Sequence, residues 1–443
     1  MSKSARSKSP LGTPLRIINM VAGSEWIDKL RLREPAQKFL YQATKTGFEA
    51  QKVVTERFMA KGSSSGKGAP DSMKSPAKPK LFDLNPTEEQ KMTQETMRSF
   101  ANEVIRPAAF EADEGLAIPD GLLNQSHELG IAHLAIPEAH GGMGEERSPV
   151  ANTLIIEELS RGDMGIALGA LAPLGVINTL VDWGTADQKA RYLHEFAGES
   201  FVPAAMAVLE SRPLFDPMAM NCTAVVDGDG YVINGEKCMV PLGANAELFL
   251  IGAMLQDKGP RLFIVRGGTE GLLVKPGRHM GLRAAGLCDL KLDGVRVSRD
   301  ALLGDDSFDF SKLIANSRVA WGAMAVGTCQ AVLDYTVPYC NERIAFGEPI
   351  TNRQSVAFNL ADMALELEGM RLMVYRAASL LEQNLDFTDQ SFLARIQCTE
   401  KGMKIGSDGV QMLGGHGFIR EHPVERWYRH LRAIGVFEGA LLI

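Results

Sequence analysis

Residues 223–240 read TAVVDGDGYVINGEKCMV, and this stretch decides which fold the chain can adopt. Short β-branched segments alternate with two turn signals, Asp-Gly-Asp-Gly at 227–230 and Asn-Gly at 234–235, which is typical of β-hairpins. Further strand-like segments follow at 248–255, 261–265 and 288–304. Residues 201–305 are therefore predicted to form a compact β domain.

Helical patterns flank this β domain on both sides. Before it, apolar residues recur at helical spacing in segments 119–129, 150–160, 165–181 and 186–196. After it, longer apolar-striped segments occupy 310–339, 352–385 and 389–413, and a cationic helix follows Pro423. The sequence thus predicts a helical domain at 85–200 and an antiparallel helical bundle at 306–443, which makes the fold mainly α with a central β domain (α+β).

Length and composition fit a protein with several cores. The chain has 443 residues, of which 45% are hydrophobic, enough for two or three domains. Its six cysteines include no CxxC pair and are expected to be reduced thiols in a reducing compartment. The sequence is read as containing no run of about 18 apolar residues, so no membrane-spanning helix is expected. No nucleic-acid partner is expected.

The N-terminal residues differ in charge from the rest of the chain. Residues 1–80 carry 16 Lys and Arg against 6 Asp and Glu, a balance of +10, which leaves −17 for the remainder of a chain whose net charge is −7. Residues 1–60 are predicted to be a basic amphipathic extension and 61–80 a flexible linker. The extension would dock on an anionic membrane surface or a partner, or pack on the acidic body.

The first 24 residues bear on localisation. They contain no acid and are rich in Ser, Lys and Arg, as mitochondrial transit peptides are. A cytoplasmic protein is nevertheless the first expectation, with the mitochondrial matrix as the alternative.

Five short motifs follow one another along the helical regions. They consist of Pro137, Glu138, Gly141, Gly142 and Gly144; Glu157, Glu158 and Arg161; Gly184, Thr185, Gln188, Lys189, Tyr192 and Leu193; Arg343, Phe346, Gly347, Pro349 and Gln354; and Gln411, Gly414, Gly415, Glu438 and Gly439. In this order, and around a β domain, they resemble the acyl-CoA dehydrogenase family over residues 85–443. The resemblance implies a helical N-terminal domain, a small β-barrel and a C-terminal four-helix bundle.

The resemblance also implies a reaction. The family removes a proton from the carbon next to a CoA thioester and transfers a hydride from the neighbouring carbon to N5 of FAD. Glu438 matches the base, and Gly439 would let the backbone lie against the thioester and flavin. Arg318 matches an arginine beside the family's second possible base position, where Ser317 offers no carboxylate. We expect Arg318 to contact CoA or, alternatively, to serve the subunit interface. Without the family context, Glu438 would read as a solvated glutamate at a helix end.

Five residues match cofactor positions of the family. Arg343 would pair with the FAD pyrophosphate of a neighbouring subunit, together with Phe346, while Gln411, Gly414 and Gly415 would meet the adenosine end. By themselves, the arginine could be an exposed helix-end residue and the glycines a helix C-cap. The family implies a homo-oligomer, dimer or tetramer, and electron-transfer flavoprotein or a similar protein as acceptor.

Two segments of the β domain depart from the family pattern. The family's TEPxAGSD reads LESRPLFD at 209–216, where Leu209 and Phe215 replace polar or small residues. The family's WITN reads MVPL at 239–242, where Met239 replaces the tryptophan and Pro241 removes an N–H donor. The chain could therefore bind FAD with a rearranged face, serve as an impaired partner subunit in a heteromeric dehydrogenase, or bind acyl thioesters without redox chemistry.

Overall fold

The structure, a computed structural model, describes residues 86–144 and 147–443. The predicted basic extension and linker, residues 1–60 and 61–80, lie outside this part of the chain. The described residues begin with helices, continue through a sheet and end in a helical bundle. The predicted α+β order is confirmed, while the exact domain boundaries stay predictions.

The first helical section contains seven α-helices. They are α1 (Glu88–Phe100), α2 (Arg106–Gly115), α3 (Leu122–His127), α4 (Ile131–Ala135), α5 (Pro149–Gly162), α6 (Met164–Trp183) and α7 (Ala186–Phe196). A π-helical turn, Ala101–Ile105, joins α1 to α2. The predicted helix at 119–129 is shorter than expected, because Pro119 starts a turn in which its carbonyl accepts from the Leu122 N–H.

The Gly-Thr-x-x-Gln motif has a structural role at the start of α7. Thr185 caps the helix by accepting from the Gln188 N–H, and the Gln188 side chain accepts from the Thr185 N–H. The Gln188 amide also donates to the carbonyls of Asp300 and Leu302, each at 2.8 Å. The motif therefore fastens the helical section to the end of the β domain.

Helix α6 is the most apolar helix among the described residues. It is long and hydrophobic enough to cross a membrane by composition, yet 89% of that stretch is buried inside the protein. Its neighbours within the fold include β1 and the 3₁₀ turn Arg283–Ala285. It is thus the core helix against which the β domain packs.

The β domain is a curled sheet of seven strands. They are β1 (Ala204–Ala207), β2 (Thr223–Asp227), β3 (Gly230–Val240), β4 (Leu248–Leu255), β5 (Gly259–Arg266), β6 (Leu272–Pro276) and β7 (Cys288–Ser298). The order is β1-β4-β2-β3-β7-β6, with β5 also paired to β4; β1 and β2 run parallel to β4 and the other pairs are antiparallel. In this sheet β6 does not pair with β1, so the expected barrel is left open.

The C-terminal section contains four α-helices and one short hairpin. They are α8 (Phe310–Glu342), β8 (Ile344–Ala345), β9 (Glu348–Pro349), α9 (Gln354–Glu382), α10 (Thr388–Leu413) and α11 (Val424–Leu431). The predicted bundle is confirmed, and its centre is α8, which packs on α5, α9 and α10. All six cysteines are buried and unpaired, as the sequence indicated.

The cationic helix α11 ties the three sections together. Asp163, which caps α6, accepts from Arg426 at 3.0 Å and contacts Nε2 of His430 at 3.2 Å. Nδ1 of the same imidazole accepts from the Leu282 N–H at 2.9 Å. Burial raises the pKa of Asp163, but His430 and Arg426 outweigh it and lower the pKa to about 2. These buried contacts fix where the chain emerges after α11, only a few residues before Glu438.

Candidate active site

Glu438 lies where α8 and α10 meet the chain that follows α11. The residue is only 8% exposed, and its carboxylate contacts two guanidinium groups. Arg318 on α8 approaches Oε1 at 3.2 Å and Oε2 at 3.4 Å, while Arg395 on α10 approaches Oε1 at 3.1 Å. The carboxylate is therefore shielded from water, unlike the solvated glutamate that the residues alone suggest, and two guanidinium groups compensate its charge.

Arg395 is a site residue that the sequence reasoning missed. Its Nη1 donates to the Phe437 carbonyl at 2.7 Å while its Nη2 contacts Glu438, so it holds both the backbone and the side chain of the segment. Burial lowers the pKa of Arg395, with Glu438 opposing and Arg318 adding to that effect. The one feature of the sequence that could have indicated Arg395 is its position as a charged residue directly after Ala394, which belongs to the buried stripe of α10.

Gly439 is required by its surroundings. Its φ of 74° is one that favours glycine, and a Cβ would lie 2.8 Å from Cγ2 of Val208, at the end of β1. Its carbonyl accepts from Ser317 Oγ and from Trp321 Nε1, each at 2.8 Å. Ser317, which offers no base, thus has a defined role in holding the turn after Glu438.

Arg318 has a second contact on its solvent side. Its guanidinium lies over the exposed ring of Phe392, 5.7 Å from the ring centroid. The side chain of Arg318 is 21% exposed. The residue therefore lies between solvent and Glu438, and its expected contact with CoA stays a prediction.

The other predicted cofactor residues lie at the far end of α8. Arg343 follows that helix, 25 positions after Arg318 in the sequence, which at 1.5 Å per residue is a separation of about 37 Å. Tyr339, in the last turn, bonds His416 at 2.7 Å and so brings the Gly414–Phe418 turn to the same end. Arg343 and Glu438 therefore lie far apart within one chain.

This second group is exposed. Phe346 is 96% exposed, at a φ of 54°, and Arg353 lies over its ring at 5.6 Å. Arg343, Gln411, Gly414 and Gly415 are exposed as well. Among the described residues no carboxylate forms an ion pair with Arg343. An exposed guanidinium and an exposed side-chain amide, beside two glycines that have no side chain to block approach, suit the pyrophosphate and adenosine end of a dinucleotide.

The β-domain face offers less to a flavin ring. The Glu210 carboxylate is already bound by the N–H groups of Asn221 and Cys222 and by Lys237. Leu214, at the family's glycine position, is 99% exposed, and buried Pro241 has no N–H to donate. The residues of this chain therefore fit FAD at its nucleotide end, whereas Leu214 and Pro241 of the β domain offer no polar side chain to the ring.

Lys237 is a second residue that sequence reasoning missed. Its side chain is fully buried, and Nζ donates to the Val208 carbonyl at 3.0 Å and to Glu210 at 2.9 Å. Burial lowers the pKa of this lysine, against the opposing effect of Glu210 and the nearby cysteines. The pair pins the end of β1 where Val208 meets Gly439.

Three family models match the chain. The descriptions are acyl-CoA dehydrogenase N-terminal domain for residues 87–200, middle domain for 205–295 and C-terminal domain for 310–441. Together they span most of the described residues.

Individual proteins show the same similarity. Cyclohex-1-ene-1-carbonyl-CoA dehydrogenase of Geobacter metallireducens is 34% identical over 364 residues, covering 80% of this chain and 95% of that protein. The mitochondrial short-chain specific acyl-CoA dehydrogenase of Bos taurus is 32% identical, covering 80% and 87%. The structure of butyryl-CoA dehydrogenase from Megasphaera elsdenii superimposes with a TM-score of 0.74 at 27% identity, covering 81% and 96%.

Proposed function

This chain belongs to the acyl-CoA dehydrogenase family, and we propose that it oxidises an acyl-CoA thioester between its α and β carbons with Glu438 as the base. The family consists of FAD-dependent oxidoreductases that act on CH–CH bonds. The observation that carries the proposal is the shielded Glu438 carboxylate at the meeting point of α8, α10 and the end of β1.

The proposed step moves a proton and a hydride from one substrate. One Glu438 oxygen takes the α proton after releasing a guanidinium. Bound FAD would supply the hydride acceptor for the β carbon, and Arg343 and Gln411 of a neighbouring chain would hold its pyrophosphate and adenosine end. Arg318 and Arg395 keep the carboxylate oriented between turnovers, and Gly439 lets the chain after Glu438 turn closely against Val208.

We propose the remaining partners from the same family membership. Electron-transfer flavoprotein or a similar protein would reoxidise the cofactor, and the chain would form a homo-oligomer. Six unpaired cysteines fit a reducing compartment, the cytoplasm or, as the name of the bovine relative shows for that protein, mitochondria. The contact of residues 1–60 with a membrane surface stays a prediction.

Substituting Glu438→Gln tests the base. The amide keeps the size of the side chain but cannot take the proton, so we expect kcat to fall by about 10²- to 10⁴-fold while flavin content is retained. Glu236→Gln, at an exposed position on β3, is the matched control. Turnover by Glu438→Gln at the wild-type rate would show that another group is the base.

One observation favours a second function. Leu209 and Pro241, both buried and both without a polar side chain at positions where the family has polar residues, suit a subunit that completes the flavin site of a related chain without holding a ring itself. In that case the purified chain would be colourless and inactive, and co-expression with a homologue would restore activity. Flavin absorption bands and turnover by the isolated chain would exclude this alternative.

A further inference from the structure

The segment 440–443, Ala-Leu-Leu-Ile, lies inside the protein directly after the proposed base. Each of its residues is at most 3% exposed. The segment runs between α6 and α8. We call it the inner segment.

Specific contacts on both helices hold the inner segment. On α6, a Cβ at Gly175 would overlap the Ala440 carbonyl, and Asn178 donates to the Leu442 carbonyl at 3.3 Å. On α8, Asn316 accepts from the Ile443 N–H at 2.8 Å and donates to its carbonyl at 3.4 Å. Both asparagines are buried. The space between the helices is thus matched to the backbone of this segment.

Glu438 separates two different environments. On one side, the guanidiniums of Arg318 and Arg395 and the exposed ring of Phe392 lead to solvent. On the other side, the chain turns at Gly439 into the apolar inner segment. A CoA moiety carries phosphate charges and stays on the wet, cationic side, because burying charge is costly. The apolar end of an acyl group then points towards the inner segment.

We propose, on the basis of the proposed function, that the inner segment limits the enzyme to short acyl groups. It fills the space into which a longer acyl chain would extend from a thioester held at Glu438. Gly175 is the specificity-determining position on α6, because only glycine lets the segment approach that closely. Leu442 supplies apolar volume at the buried end.

Binding of butyryl-CoA and octanoyl-CoA to the purified, FAD-containing full chain tests the proposal by calorimetry. If the longer acyl chain were fully buried, octanoyl-CoA would bind tighter by a factor on the order of 100. We expect no such gain in the wild type. In Leu442→Ala, where a side chain leaves the inner segment, octanoyl-CoA should gain about tenfold or more over butyryl-CoA.

A second variant guards against a folding defect in the first. Gly175→Ala adds a methyl group where the Ala440 carbonyl lies, so it should displace the inner segment, accelerate hydrogen exchange at Leu441 and Leu442 and also raise the preference for octanoyl-CoA. The matched controls are Gly369→Ala, whose Cβ meets nothing within 4 Å on α9, and Leu290→Ala in the β-domain core. Neither control should change the binding ratio.

The outcomes separate this proposal from the proposed function. A wild type that already favours octanoyl-CoA by about 100-fold, or an unchanged ratio in both test variants, overturns the length limit. Short acyl-CoA binding with the expected ratios but no reduction of an electron acceptor overturns the dehydrogenase function and leaves the length limit standing. If no variant binds any acyl-CoA, both are wrong.

Discussion

At the scale of single residues, Arg395 decides how Glu438 is presented. One guanidinium nitrogen holds the Phe437 carbonyl and another holds the carboxylate, so the backbone and side chain of this segment are fixed by one residue. Arg318 contacts the same carboxylate from α8 and is nearer to solvent. If Glu438 is the base, as we propose, Arg395 would act as a positioning residue and Arg318 would be the guanidinium that an incoming substrate meets first.

Replacing Arg395 tests this role. In Arg395→Gln, Glu438 loses a fixed orientation, and we expect kcat to fall by about 10- to 100-fold with little change in KM, because misplacement of a reacting group mainly affects the chemical step. Arg395→Lys should recover part of the loss, since it keeps the charge without the planar fork. Arg376→Gln, at an exposed position on α9, is the control. A rise in kcat for Arg395→Gln would show instead that the arginine restrains the base.

At the scale of elements, the crossing of α5 and α8 brings the motif Glu157-Glu158 against the central helix. Gly327 on α8 lies so close to α5 that a Cβ would overlap the Glu157 carbonyl and lie 3.1 Å from the Arg161 nitrogen. Glu157 in turn accepts from Arg371 and Tyr375 of α9, each at 3.0 Å. The motif therefore joins three helices, and this packing role accounts for its presence in the sequence.

A substitution in α8 measures how tight this crossing is. Gly327→Ala forces α5 and α8 apart, and we expect the free energy of unfolding to fall by about 1–3 kcal/mol. Gly369→Ala on α9 meets open space and should be neutral or stabilising by up to about 1 kcal/mol, because alanine favours helices. Urea unfolding of both variants gives the comparison. Equal stability of the two would contradict the close crossing.

At the scale of the whole molecule, the two groups of predicted site residues lie far apart on one chain. Glu438 lies near Arg318, while Arg343 lies about 37 Å away along α8, at the exposed end with Phe346 and Gln411. A single FAD whose ring faces Glu438 would have to span that distance to be held by Arg343 of the same chain. We therefore propose an oligomer in which each chain lends its Arg343 end to a neighbour.

Subunit complementation tests this arrangement. Arg343→Gln and Glu438→Gln should each be inactive alone, yet co-expressed chains should regain a fraction of wild-type turnover, since a mixed dimer contains one site with both residues intact. The control is a sample in which both chains carry Glu438→Gln, so that no site in the dimer contains both residues intact. Failure of complementation, with both variants folded and oligomeric, would mean that Arg343 and Glu438 serve the same site within one chain.

The sequence by itself determined the order of helices and strands. Periodicity and capping are local, so α7 was predicted with its observed bounds, Ala186–Phe196, and α10 differed from the expected segment at its first residue only. The family motifs also located Glu438 and Gly439. Local patterns reach only a few residues along the chain, and for that reason they identified the elements without showing which side chains meet.

Only the tertiary structure decided the contacts around the base. Arg395 and Glu438 are 43 positions apart and Gly439 meets Val208 across more than 200, and no periodicity links such pairs. The same holds for the sheet, where curling leaves β1 and β6 unpaired with each other. The sequence predicted strand segments that correspond to β2, β3, β4, β5 and β7, whereas the short strands β1 and β6 were not predicted. Packing also set the place of the inner segment. Its apolar residues indicate that the segment is buried, but only the helices around it determine where in the protein it lies. The residue types of a segment indicate whether it is buried, whereas the partner of each buried group depends on how elements distant in the sequence pack together.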